Sequence, residues 1–121
     1  MIGALLFLVC LSAPARSAAP AWSAAPEDGS APPVQLERQR QGELLNLIRQ
    51  DCGACHGLRL SGGLGPPLLP EALRDKPADA LKQTILFGRP GTPMPPWQPF
   101  LTDAEAQWIV QTLLKGLPDA R

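Results

Sequence analysis

Residues 52–56 read Cys52-Gly53-Ala54-Cys55-His56. On a helical turn, residues at i, i+3 and i+4 share one face. The spacing therefore sets Cys52, Cys55 and His56 side by side, with only small residues between the two sulfurs. Other soft ligands are scarce. The 121 residues include three cysteines, two methionines and one histidine. The chain is rich in loop formers, with 15 prolines and 11 glycines, and poor in large rings, with no tyrosine. A single small domain buries a modest share of its surface. Few rings and many loops predict that something other than side chains fills its middle. A net charge of zero, with 45% hydrophobic and 18% charged residues, fits neither a nucleic-acid binder nor a disordered chain.

Upstream of this stretch, Leu44, Leu45, Leu47 and Ile48 form an apolar stripe at helical spacing, and the pattern predicts a helix over about Leu36–Cys52. Downstream, Gly57–Pro70 holds four glycines and three prolines and reads as loop. Pro70-Glu71-Ala72-Leu73 predicts a short helical turn. Pro77–Phe87 reads as a helix stopped by Gly88. Arg89–Pro99, with five prolines, is loop again. Thr102-x-x-Glu105 is a capping box opening a last helix, whose apolar positions run from Ala106 through Ile109, Val110, Leu113 and Leu114 to Leu117. No alternating strand pattern occurs, so the predicted class is all-α, with three to four helices and long loops.

The N-terminus reads as an export signal. Ile2–Leu11 is an uninterrupted apolar run, shorter than the ~20 residues that span a bilayer. Small residues follow, and cleavage is expected between Ser17 and Ala25. No basic residue precedes the run, so an uncleaved anchor and a start further upstream stay open. A lipoprotein reading would use Cys10, but Val9 is bulky for that site. The expected organisation is a signal over residues 1–25, a flexible linker over 26–33, one domain over 34–118 and a tail over 119–121. Cleavage would remove Cys10 and Arg16, leaving ten basic and eleven acidic side chains.

C-x-x-C-H is the attachment pattern of c-type haem. Cys52 and Cys55 can each form a thioether with one porphyrin, and His56 can place an imidazole on the iron. The rivals are weaker. A redox C-x-x-C usually starts a helix after a strand, and here a helix precedes it. A zinc site needs four ligands. A disulfide across two residues is strained. The expected cofactor is one haem c per chain, attached through Cys52 and Cys55. For the opposite axial position no second histidine exists, and Met94 is the one methionine left after signal removal. It lies in Gly91-Thr92-Pro93-Met94-Pro95-Pro96-Trp97, where prolines restrict the backbone. His/Met ligation favours reduced iron. A ligating imidazole usually donates its other N–H to an acceptor, and the expected acceptor is the Pro66 carbonyl. Leu68, Ile85, Phe87 and Trp97 are candidates for the haem wall, and Arg59, Arg74 and Arg89 for the propionates.

The order of these pieces resembles the class I cytochromes c, from the first helix and C52-G-A-C-H56 through G65-P66-x-L68 and a helix ending at Gly88 to M94-P95 and a last helix. The resemblance implies terminal helices that cross, with Pro66, His56 and Met94 in the roles given above. That family often has glycine eight residues before the first cysteine and an aromatic four before it. Here Leu44 and Ile48 stand there, and the crossing is expected to pack differently, with Trp108 as the large partner. CHGLRLSGGLGP and GRPGTPMPPW are further similar to the c55X group, small periplasmic cytochromes of denitrifying bacteria. That resemblance implies a periplasmic electron carrier rather than an enzyme, donating electrons to cytochrome cd1 nitrite reductase. Two alternatives stay open. One is acceptance of electrons from haem d1 assembly proteins. The other, if Met94 leaves the iron, is a five-coordinate ligand-binding or sensor protein. A monomer is expected, with no nucleic-acid partner and no membrane anchor after cleavage.

Overall fold

The protein is described by a computed structural model covering residues 34–118. The expected signal, linker and tail, with Cys10, lie outside the described residues. Five helices follow in order, α1 (Arg38–Leu47), α2 (Gly53–His56), α3 (Pro70–Leu73), α4 (Ala78–Phe87) and α5 (Asp103–Lys115). Among the described residues there is no strand, and no helix is long and apolar enough to cross a membrane.

α1 and α2 are one rod joined by a π-helical turn over Ile48–Cys52. The helix expected to end at Cys52 therefore continues to His56. It stops where Gly57 takes a φ of +85°. A π turn inserts one extra residue into the hydrogen-bond ladder, often at a functional site. Here it sits directly before the second cysteine and the histidine. α4 begins after Pro77 and ends at Gly88, as its sequence predicts. α5 opens with the predicted capping box. The Glu105 N–H donates to Thr102 Oγ1 at 3.2 Å, and Thr102 N–H donates to Glu105 Oε2 at 2.7 Å.

Leu44, Ile48, Leu60, Leu73, Leu86, Leu101, Ala106, Ile109 and Leu113 form one buried cluster. At roughly 1.5–3 kcal/mol for each fully buried large aliphatic side chain, this cluster is the main favourable term. Leu44 and Ile48 lie fully inside it, while Gly42 faces open space. With leucine in place of glycine, α1 reaches α5 through side chains rather than close backbone approach. The most extensive contact between helices is instead α4 on α5. Trp108 is half-buried against the core. Two polar links tie the first rod to α5 and to the segment that follows it. Arg40 Nε bonds Glu105 Oε1, and Arg49 donates to the Pro118 carbonyl at 3.0 Å.

Candidate functional site

The glycine-rich loop after His56 folds back onto the end of α2. The Gly62 N–H donates to the His56 carbonyl at 2.8 Å, and the Gly65 N–H to the Cys55 carbonyl at 2.8 Å. These bonds satisfy carbonyls that the helix end leaves without partners. They also carry Gly65 and Pro66 under the histidine ring. His56 is buried, with 7% of its surface exposed. Its Nδ1 lies 2.6 Å from the Pro66 carbonyl oxygen. Because a carbonyl only accepts, Nδ1 carries a proton, and in the neutral ring Nε2 then keeps a lone pair. No described residue takes a hydrogen bond at Nε2. His56 and Pro66 are thus the pair that the sequence reading put together.

Gly65 has to be glycine for this approach. A Cβ there would stand 2.6 Å from His56 Cε1 and 2.7 Å from Nδ1. Leu60, buried in the same loop, adopts a φ of +57°, costly for a leucine and held by its surroundings. Its N–H donates to Gly57, and its carbonyl accepts from Leu68.

Cys52 is half-buried, Cys55 is exposed, and neither is in a disulfide. Burial pushes the Cys52 thiol up to about 11, with help from the Asp51 carboxylate. A redox C-x-x-C motif needs the opposite, a thiol with a lowered pKa. Among the described residues, no group of three His, Cys, Asp or Glu side chains converges as metal ligands would, which disfavours a closed zinc cage. The donor set suits a tetrapyrrole instead. The sequence segment offers two free thiols and one imidazole whose free nitrogen is preset by a bonded partner.

Met94 is held by a separate segment and is half-buried. Its backbone bonds run to Arg89 and Thr92, not to residues 52–66. Leu68, Ile85 and Trp97 are half-buried against the core, whereas Phe87 is 56% exposed. Arg59, Arg74 and Arg89 are all exposed, and Arg74 turns back onto the Glu71 carbonyl at 3.2 Å. Sequence reading missed the π turn, the left-handed Leu60 and the fastening of the Met94 segment to Gly88. Only Gly88 carried a signal, as a helix stop.

Residues 39–111 match the family model described as cytochrome c oxidase, cbb3-type, subunit III. The chain is 56% identical over 80 residues to cytochrome c55X of Pseudomonas aeruginosa, covering 66% of this chain and 67% of that one. A solved c-type cytochrome, NirC, superposes with a TM-score of 0.66 at 55% identity, covering 68% of this chain and 96% of that one. Over 73 residues the chain is also 49% identical to a dihydro-heme d1 dehydrogenase of Pseudomonas aeruginosa, covering 60% of this chain but 15% of that protein. The helices, the loop clasping His56 and these likenesses agree with one another, and the chain belongs to the c-type cytochromes, within the c55X group.

Proposed function

We propose that this chain is a periplasmic monohaem electron carrier, in which Cys52 and Cys55 would hold haem c through thioethers and His56 and Met94 would be the protein ligands of its iron. The observation that carries the reading is the His56–Pro66 bond, which leaves Nε2 of a buried imidazole with its lone pair available. The haem supplies a one-electron ferric/ferrous couple. The chain's residues tune and shelter it. Pro66 orients the imidazole and raises its basicity by accepting a hydrogen bond from Nδ1–H. The Met94 thioether favours the reduced state and raises the potential. With His56 and Met94 both holding the iron, the group would serve electron transfer better than substrate binding.

The partner is a component of the cytochrome cd1 nitrite reductase system, with this chain as electron donor to the reductase. One observation favours a second reading, in which the chain accepts electrons during haem d1 maturation. Its sequence matches a segment of a protein named dihydro-heme d1 dehydrogenase. Either encounter would be brief, through a small contact area typical of redox partners.

The test begins with protein from a host competent in haem attachment. Its mass should equal the processed polypeptide plus one haem. The optical spectrum of the reduced protein should not change on adding carbon monoxide at neutral pH. Rapid carbon monoxide binding would replace the carrier with the five-coordinate reading. Single-turnover reduction of purified nitrite reductase, set against single-turnover oxidation of a precursor-loaded assembly protein, then separates the two carrier roles.

A further inference from the structure

The segment that carries Met94 is fastened to the end of α4 in an unusual way. α4 stops at Gly88, whose φ is +68°. The chain then turns and comes back over that glycine. A Cβ built on Gly88 would stand 2.6 Å from the Met94 carbonyl oxygen, 2.8 Å from Pro95 C and 2.9 Å from Pro96 N. All three are backbone atoms, so no change of side-chain rotamer could relieve the collision.

Hydrogen bonds close the ring. The Arg89 N–H donates to the Met94 carbonyl at 3.2 Å. Inside the ring, Thr92 Oγ1 donates to the Arg89 carbonyl at 2.7 Å and accepts from the Met94 N–H at 3.3 Å. Beyond it, the Trp97 and Gln98 N–H groups donate to the carbonyls of Ile85 and Leu86 in the last turn of α4, at 3.1 and 3.0 Å. Pro93, Pro95 and Pro96 have no N–H and a fixed φ, so the segment has few other ways to bond itself.

We infer that Gly88 and Thr92 are positioning residues for Met94. Gly88 is the seat on which the Met94–Pro96 backbone rests, and Thr92 is the staple between Arg89 and Met94. Together they set how far the thioether reaches. Neither touches the metal, and both act through the Met94 backbone. The inference rests on the reading of Met94 as an axial ligand.

The chain supplies its own controls. Gly91 and Gly116 also have positive φ, +77° and +88°. A Cβ on Gly91 would meet nothing within 4 Å, and one on Gly116 only Pro70 Cγ at 3.5 Å. Alanine at either site brings backbone strain without a collision.

The experiment uses holo-protein of the wild type, Gly88→Ala, Thr92→Val, Thr92→Ser, Gly91→Ala and Gly116→Ala. Two readouts are followed, the weak far-red absorption of thioether-ligated ferric haem and the affinity of the ferric protein for added imidazole. Gly88→Ala should lose the absorption and bind imidazole about tenfold or more tightly, since a backbone collision is relieved only by moving the loop. Thr92→Val should gain about three- to tenfold through its lost hydrogen bonds, and Thr92→Ser should restore wild-type affinity. Gly91→Ala and Gly116→Ala should unfold more easily yet keep the absorption. Wild-type behaviour in both Gly88→Ala and Thr92→Val overturns the inference. So does a Gly91→Ala or Gly116→Ala protein that loses the absorption as fully as Gly88→Ala. If Gly88→Ala yields no folded holo-protein, Thr92→Val decides alone. A wild type that lacks the absorption defeats the ligand reading itself, a result distinct from an unaffected variant.

Discussion

Pro66 and His56 are joined across ten positions of sequence by one hydrogen bond, Nδ1–H to carbonyl oxygen at 2.6 Å. Pro66 is exposed and His56 is buried, so the bond ties a surface loop to the imidazole beneath it. The acceptor is a backbone atom, which no side-chain substitution at Pro66 removes. Control of the ring passes instead to the residue that shapes the loop, Gly65.

Gly65→Ala would place a Cβ within 3.1 Å of three atoms of the His56 ring. Either the ring tilts or the loop lifts, and both weaken the bond to Pro66. Overpacking of this kind costs about 1–3 kcal/mol. Thermal unfolding of the holo-protein should show that loss, and the reduction potential should shift with it as the imidazole loses its acceptor. A variant with unchanged melting temperature and potential would show that Gly65 does not bear on the ring.

Met94→Ala should lower the reduction potential by on the order of 0.1–0.3 V, within the roughly 0.8 V over which axial ligation sets haem potentials. It should also let the reduced protein bind carbon monoxide. Potentiometry and carbon monoxide difference spectra check both outcomes. A wild-type potential in this variant would remove Met94 from the ligand set.

Cys52→Ala should give far less holo-protein, because a single thiol then remains for attachment. Mass spectrometry of the secreted chain reads the result directly. The half-buried thiol, pushed up to about 11 by burial, stays protonated at neutral pH. The unattached wild-type chain should therefore react slowly at Cys52 with alkylating reagents, since the thiolate is the nucleophile. Full haem incorporation by Cys52→Ala would argue against two thioethers.

The parts of the fold that were legible in the sequence are those set by local chemistry. Thr102 and Glu105 announce the start of α5, Pro77 and Gly88 bracket α4, and Pro70 opens the short α3. The C-x-x-C-H spacing and the glycine-proline loop put His56 and Pro66 within reach of each other on sequence grounds alone. The π turn was not legible. Arg49, Gln50 and Asp51 are polar, so the apolar stripe ends before the ladder changes register. Leu60 carries no signal for its φ of +57°, which the bonds to Gly57 and Leu68 and the burial of its side chain impose. The apposition of Gly88 and the Met94–Pro96 backbone is likewise tertiary. Five residues lie between Gly88 and Met94, and composition marks that interval only as loop.

Glu105 divides its carboxylate between two helices. Oε2 accepts from Thr102 N–H at 2.7 Å and from the Thr102 hydroxyl at 3.0 Å, while Oε1 accepts from Arg40 on α1. The Arg40 guanidinium holds the Glu105 carboxyl below its ordinary range, aided by the Thr102 donors and opposed by burial. Arg40 lowers Glu43 in the same way. A carboxyl with a lowered folded-state pKa adds stability that is complete above its unfolded value, near 4.3 for glutamate. That stability fades as pH falls through the unfolded value and toward the folded one. Glu105→Gln keeps an acceptor for the cap but offers Arg40 no charge, and should cost about 1 kcal/mol near neutral pH. The difference from wild type should shrink as pH falls below the unfolded value and through the lowered folded one, where the wild-type carboxyl takes up its proton. Denaturant midpoints of the two holo-proteins across that range test it. A constant difference would mean that the cap alone stabilises α5 and that the link to α1 adds nothing.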